Sequence, residues 1–381
     1  MGCVIHQKCG GCVWRESDLK TYQKEKEKSV RDLLEANLGD LSGIWEKPIF
    51  LEDNSRRRAA FAFEFKKQKL MFGFNENKSD KIADISKCLM LTSKINEVLA
   101  VLRDFLTQLC EVRVLKKQKG KKFLSTQIQN GDLLVLEAEN GLDVVLETNE
   151  DLTLEHRMLI FDFMNQNEVI IRFSWRKKHA QEAEPIIEKT KPFIKIGDVQ
   201  VFVAPGDFLQ PSKQGEKALV ETVMKYVGQT RGKMVDLFCG IGTFSYALSG
   251  LEKTNVLAVD VSETLLKGFE ASLHKQMIQN VKILQKNLFL YPLTPQELKG
   301  SDVIVFDPPR AGAKEQVREF CKFEEDERPQ KIIAVSCNPQ TFARDAQMLV
   351  GGGYKLEKLT MADQFVYSNH SELVALFTNG K

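Results

Sequence analysis

Three short runs carry the residue types that could do chemistry. Ser336-Cys337-Asn338-Pro339 follows the apolar run Ile332-Ile333-Ala334-Val335, which reads as a buried strand ending abruptly. Proline fixes its own φ and biases the preceding residue away from helix, so Asn-Pro stops the strand. A thiol is left at the C-terminal tip, where open α/β sheets keep their ligands. Phe306-Asp307-Pro308-Pro309-Arg310 ends the strand-like Asp302-Val303-Ile304-Val305 in the same way. Val235-Asp236-Leu237-Phe238-Cys239-Gly240-Ile241-Gly242-Thr243-Phe244 is a strand running into a glycine turn and then a helix. A thiol, a carboxylate beside stiff prolines and a glycine loop, all at strand tips, point to an enzyme.

The glycine turn lacks the full G-x-G-x-x-G of dinucleotide sites. Its Asp236-x-x-x-Gly240-x-Gly242 spacing, with Asp260 ending the next strand, suits an adenosine ribose with no pyrophosphate to hold. An acidic residue there can accept hydrogen bonds from ribose hydroxyls, which favours S-adenosylmethionine over a dinucleotide. A second cluster opens the chain. Cys3, Cys9 and Cys12 are spaced Cys-x5-Cys-x2-Cys, with Gly10 and Gly11 letting the backbone wrap tightly. Three thiols so close together read as a metal or iron–sulfur site, with Cys88 the best-placed fourth ligand. All-thiolate ligation with one distant cysteine fits a cubane cluster, and structural zinc is the rival. Cys110, Cys239 and Cys321 read as packing residues.

The elements that must position these groups follow from periodicity. Residues 15–37 form an amphipathic helix with a stripe of Leu19, Tyr22, Val30, Leu33 and Leu34. Phe61, Phe63 and Phe65 alternate in a strand that turns at Lys66-Lys67-Gln68-Lys69 and returns through Leu70–Phe74. A second helix covers 93–113, and the basic run 116–122 is expected as a loop. Strands at 123–129, 133–138, 142–148 and 168–174 make a mainly antiparallel central domain. Beyond a helix at 213–227, strands at 234–238, 255–260, 281–285, 302–306, 331–336 and 372–378 alternate with helices. That alternation is the mark of a doubly wound, Rossmann-like sheet. The expected domains are a cysteine-bearing segment with helix and hairpin at 1–90, a mainly β domain at 91–200 continuous with the hairpin at 55–75, and the doubly wound domain at 201–381.

The chain's 381 residues, 43% hydrophobic and 28% charged, are those of an ordinary globular protein. No apolar run reaches the ~20 residues of a membrane span, and no signal-peptide pattern opens the chain. A cytoplasmic monomer with unpaired cysteines is the expectation. The net charge of +2 hides an asymmetry: residues 1–130 hold 25 Lys and Arg against 17 Asp and Glu, and the remainder 29 against 35. A basic first third suits a polyanionic partner, and arginines flanking the hairpin suit an RNA backbone.

Taken together, Phe208-Leu209-Gln210, Asp236–Gly242, Asp307-Pro308-Pro309-Arg310, Ser336-Cys337-Asn338-Pro339 and His370-Ser371-Glu372 resemble the RNA 5-methyluridine methyltransferases, which are class I S-adenosylmethionine-dependent enzymes. The set Cys3, Cys9, Cys12 and Cys88 resembles the [4Fe-4S] cluster-bearing branch. With its first cluster cysteine already at residue 3, the chain is expected to lack the TRAM barrel that some members carry. That makes it most similar to the branch methylating the uridine at bacterial position 747 of 23S ribosomal RNA. The resemblance implies that Cys337 adds to uracil C6 and that Glu372 removes the C5 proton. It implies that Phe238, Gly240, Thr243 and Asp260 line the cofactor site, and that Gln210 and Asp307 bind the uracil edge or the methionine part. The target uridine would be flipped out of folded RNA, with the basic β-domain gripping the backbone around it. Three alternatives stand beside this reading: a tRNA T-loop uridine as substrate, methylation of an exocyclic nitrogen, and an inactive RNA-binding module.

Overall fold

The computed structural model describes Cys3, residues 5–118 and residues 120–380. It divides into two compact units, Met1–Arg15 with Glu52–Ile194 and Val203–Ser212, and Glu16–Leu51 with Lys195–Phe202 and Lys213–Lys381.

The first unit is built on a seven-stranded sheet. Its order is Glu184–Glu188, Ile170–Lys177, Gly141–Thr148, Asn130–Ala138, Arg58–Lys66, Lys69–Asn75 and Ile82–Asp84. Phe61, Phe63 and Phe65 alternate onto the buried face, against Ile95, Leu99, Leu102 and Leu106 of the helix Ser93–Glu111. Neighbouring strands are antiparallel except Gly141–Thr148 and Ile170–Lys177, which run parallel. A parallel pair needs a crossover, and the helix Leu154–Gln166 supplies it, started by a capping box between Thr153 and His156. The sequence reading did not include that helix. The basic run at 116–122 is a correction: it forms part of an antiparallel hairpin, Arg113–Gln118 against Lys121–Thr126, rather than a loop. Lys119, within that run, lies outside the described residues.

The second unit carries an eight-stranded sheet. Its order is Ile49–Phe50, Lys355–Asp363, Glu372–Thr378, Lys331–Ser336, Val303–Phe306, Gly232–Leu237, Thr254–Asp260 and Val281–Gln285. Every strand is parallel to its neighbours except Glu372–Thr378, which is antiparallel to both. The strand order reverses between Gly232–Leu237 and Val303–Phe306, the kind of switch point where such sheets open a ligand crevice. The six expected strands are present; Lys355–Asp363 and Ile49–Phe50 are additional. The first of these begins on the charged run Lys355-Leu356-Glu357-Lys358 and buries the polar Thr360 and Asp363, so its apolar signal is broken.

The helix Leu19–Leu38 belongs to this second unit. Asp18 caps its N-terminus, and Val30 and Leu34 join the core of the sheet, packing against the helix Pro339–Gly351. Leu19, expected on the apolar stripe, is exposed at the first helical position. One turn further along, the helix buries two polar side chains, Tyr22 and Lys26, and both bind Asp363. Among the described residues no helix is long and apolar enough to cross a membrane.

Candidate active site

The glycine turn follows the strand Gly232–Leu237 directly. Phe238 has φ 61°, left-handed for a residue with a side chain, and its ring packs on Phe289 at 5.5 Å. Such strain persists only where the surrounding structure fixes it, and it gathers at ligand sites. Gly242, φ 89°, caps the helix Thr243–Ser249. A Cβ there would stand 2.4 Å from the Phe269 ring, so no other residue fits. Asp260 closes the turn: one carboxylate oxygen accepts from Gly240 N–H at 2.9 Å and the other from Ser262 N–H at 2.8 Å. Each oxygen keeps a second lone pair for a ligand hydroxyl. Beneath the turn Asp236 is fully buried, with Ser245 Oγ donating to it at 2.6 Å. Burial pushes its carboxyl up to about 7.

The second group lies along the same edge of the sheet. Asp307 ends the strand Val303–Phe306, and Cys337 follows Lys331–Ser336. The reversed strand Glu372–Thr378 runs the other way, so its first residues reach the edge where the parallel strands end, with Leu373 in register with Ser336. That register brings Glu372 beside Cys337. The two loops are tied together: Asn338 Nδ2 and Thr341 Oγ1 both donate to the carbonyl of Arg310, at 3.0 and 3.1 Å. Arg310 in turn reaches His370 Nδ1 at 3.1 Å.

Electrostatics bind the group into one system. Burial raises Glu372 to about 7, opposed by a hydrogen bond from Gln364 Nε2 at 2.9 Å. Burial and then the charge of Glu372 hold Asp307 well above the ordinary carboxylate range. Burial, followed by the charges of Glu372 and Asp307, pushes the Cys337 thiol up to about 12, while Arg310 pulls the other way. The thiol is thus not ionised in the resting enzyme, and carboxylates stand next to it. The arrangement can hold a proton on one carboxyl, offer the other as a base and present a nucleophilic sulfur.

Of the other expected site residues, Phe238, Gly240, Thr243 and Asp260 share the glycine turn and its flanks. Gln210 belongs to the first unit, where its carbonyl accepts from Arg57 Nε at 3.0 Å. Cys9, Cys12 and Cys88 line one cavity of about 340 Å³, also in the first unit. Burial raises all three thiols; the charge of Cys3 acts on Cys9, and those of Cys88 and Cys9 on Cys12. The four sulfurs therefore form one neighbourhood. Among the described residues no group of three or more His, Cys, Asp or Glu side chains is arranged to hold a single metal ion. Gln364 was missed in the sequence. Its signal is the polar pair Asp363-Gln364, both buried, inside an otherwise apolar stretch.

The sequence matches the tRNA (uracil-5-)-methyltransferase family over residues 20–288 and 294–379. The chain belongs to that family. An RNA methyltransferase of Brucella suis, itself uncharacterized, is 34% identical over 380 residues, covering 100% of this chain and 84% of its own length. The 23S rRNA (uracil(1939)-C(5))-methyltransferase RlmD of Erwinia tasmaniensis is 28% identical over 381 residues, covering 99% of this chain and 81% of that protein. The fold matches that of the Pyrococcus abyssi tRNA (uracil-54, C5)-methyltransferase, solved with S-adenosyl-L-homocysteine, at a TM-score of 0.70 and 22% identity over 93% of this chain and 83% of that one. The chain is therefore an S-adenosylmethionine-dependent RNA (uracil-C5)-methyltransferase.

Because the charge of Glu372 opposes ionisation of Cys337, Glu372→Gln should make this thiol easier to ionise. Alkylation of the Cys337 peptide by iodoacetamide, followed by mass spectrometry against pH, should shift to lower pH and speed up about tenfold for each pKa unit. An unchanged or slower alkylation would show that the two side chains do not sense each other.

Proposed function

We propose that this enzyme methylates C5 of a uridine in 23S ribosomal RNA through a covalent bond between Cys337 Sγ and uracil C6. The observation that supports this most is the juxtaposition of a thiol with two buried carboxyls of raised pKa at one sheet edge. Uracil C5 is too weak a nucleophile to attack a sulfonium methyl unaided. Addition of sulfur to C6, with the S–H proton released to water, turns C5 into an enolate carbon. This divides one hard step into easier ones. Asp307, kept protonated, donates to the uracil edge as charge builds there. C5 then takes the methyl group, and the neutral thioether S-adenosylhomocysteine leaves. Glu372 in its carboxylate form removes the C5 proton, the C5–C6 double bond re-forms, and the Cys337 thiolate departs. Phe238, Gly240, Thr243 and Asp260 hold the cofactor, with Asp260 accepting from its ribose. Gln210 binds substrate or cofactor in the role that the sequence resemblance implies.

The ribosomal substrate is supported by the relatives whose names specify uracil 1939 of 23S rRNA; the sequence resemblance points instead to position 747 of the same RNA. Unmodified 23S rRNA and tRNA transcripts, offered together with labelled S-adenosylmethionine, should yield 5-methyluridine in the 23S rRNA, mapped by mass spectrometry to one of these positions. Cys337→Ala should lower turnover at least about a thousandfold, as loss of a nucleophile does. Label found only in tRNA, or on a nitrogen, would overturn the assignment.

Cys3, Cys9, Cys12 and Cys88 are proposed to hold a [4Fe-4S] cluster. The donor set fits: four thiols share one neighbourhood, where burial and then the other thiols' charges raise Cys9, Cys12 and Cys88 while Arg56 pulls the other way. A [4Fe-4S] cluster would take one cysteine thiolate on each of its four irons, so Cys3, Cys9, Cys12 and Cys88 would each bind a different iron. When bound, the cluster supplies a rigid cross-link between the N-terminal segment and the strand-flanking Cys88. Anaerobically purified protein should carry about four iron and four sulfide per chain, on this cluster type, and lose both in Cys88→Ser. A colourless protein with stoichiometric zinc would contradict the proposal.

A further inference from the structure

The segment between the strands Lys355–Asp363 and Glu372–Thr378 delivers Glu372 to the site, and an unusual set of buried polar groups holds it. Tyr22 and Lys26 lie four residues apart on one face of the helix Leu19–Leu38, and both are buried. Tyr22 Oη donates to one oxygen of Asp363, and Lys26 Nζ donates to the other at 2.5 Å. Lys26 also reaches the carbonyl of Phe365 at 3.2 Å. Tyr22 Oη accepts in return from the Tyr367 N–H at 2.8 Å, and the two tyrosine rings pack at 4.5 Å. Tyr367 sits at φ 59°, a conformation that needs such support. Two side chains of one helix therefore grip residues 363, 365 and 367, and between the first two stands Gln364.

Gln364 is buried, and its Nε2 donates to Glu372 Oε1 at 2.9 Å. The helix Lys213–Val227 meets it with Gly215, where a Cβ would stand 2.5 Å from Gln364 Oε1. A Cβ there would also stand 2.8 Å from Gln364 Cβ, so the glycine is what lets this helix approach the glutamine so closely. The charged and titratable groups facing Glu372 come from the other loops of the edge: Asp307 and Cys337, with Arg310 acting on the thiol.

We propose that Gln364 is a positioning residue for Glu372: its amide fixes the carboxylate rotamer and favours the ionised form that removes the C5 proton, while the Tyr22–Lys26–Asp363 clamp keeps that amide in place. This rests on the assignment of Glu372 as the base. An amide hydrogen bond to a carboxylate stabilises the charged form. Removing it raises the apparent pKa, so the base becomes available only at higher pH.

The test compares wild type, Gln364→Leu, Gln364→Glu and Glu372→Gln on 23S rRNA and tRNA transcripts, with kcat and KM measured across pH 5.5 to 9. Gln364→Leu should lower kcat about 10- to 100-fold at neutral pH, the effect of one hydrogen bond to a charged group. KM for RNA and for S-adenosylmethionine should stay within about twofold, and the acid limb of kcat should move up by about one pH unit. A methylated protein–RNA adduct should accumulate, because elimination is the slowed step. Gln364→Glu, which adds a carboxyl beside Glu372, should move the limb in the same direction. Tyr22→Phe, which keeps the ring but loses the hydroxyl's contacts with Asp363, Tyr367 and Lys26, should reproduce a smaller shift of the limb. An unmoved acid limb in Gln364→Leu and Gln364→Glu, with adduct still accumulating in Glu372→Gln, would overturn the role of Gln364 and leave the base assignment standing. Wild-type turnover in Glu372→Gln would remove the base assignment itself, and this proposal with it. Loss of kcat at all pH values with a lowered melting temperature would reduce Gln364 to a structural part.

Discussion

One reversed strand makes the site. A parallel sheet presents the ends of all its strands along a single edge, and the crevice at its switch point collects whatever side chains stand there. Asp236, Asp307 and Cys337 reach that edge because Gly232–Leu237, Val303–Phe306 and Lys331–Ser336 all end at it. Glu372 reaches it from the opposite direction, as the first residue of the strand paired antiparallel to Lys331–Ser336. Were that strand parallel, its start would lie at the far edge, and Asp307 would be left as the carboxyl beside the thiol, without Glu372.

Crowding these groups in a dry edge sets their acid–base character. Asp236, Asp307 and Glu372 all have their carboxyls raised, chiefly by burial. For Glu372 the ordinary value is 4.5 and the folded value about 7. Folding is thus favoured by protonation at this site: its contribution is fully present below the unfolded value and is lost as pH rises through about 7. Around neutral pH Glu372 is thus about half ionised, and the native state carries that penalty in full only where the carboxylate, able to act as a base, predominates. Elsewhere in the same unit the opposite solution appears. Lys26 and Asp363 are both buried, and each offsets the other's desolvation through a direct ion pair. The pair holds the segment that delivers Glu372.

Much of this was legible in the chain because strand tips carry local signals. Asn338-Pro339, Pro308-Pro309 and the glycines at 240 and 242 break their strands where the structure breaks them. The helix Lys213–Val227 and the strands Val281–Gln285, Lys331–Ser336 and Glu372–Thr378 have the expected bounds. What was not legible depends on pairing between distant segments. Lys355–Asp363 is a strand because its neighbour satisfies it, with polar Thr360 and Asp363 buried where an apolar pattern would be sought. Lys26 looks like one more lysine on a charged helix, and only its partner 337 residues away explains its burial. The hairpin at 113–126 has so dense a run of lysines that charge masked its pairing. The contact of Gln364 with Glu372 crosses eight residues but depends on where the clamp sets the loop.

The central claim is that Cys337 bonds to uracil C6 during methyl transfer. RNA transcribed with 5-fluorouridine tests it directly, because fluorine at C5 cannot leave as a proton does and the intermediate must stall. With S-adenosylmethionine present, wild-type enzyme should form a protein–RNA species that survives a denaturing gel and carries the nucleotide on the Cys337 peptide. Cys337→Ala should form none. Absence of the species in wild type, with methyl transfer to ordinary RNA intact, would contradict the account and show that the carbon is methylated without the thiol.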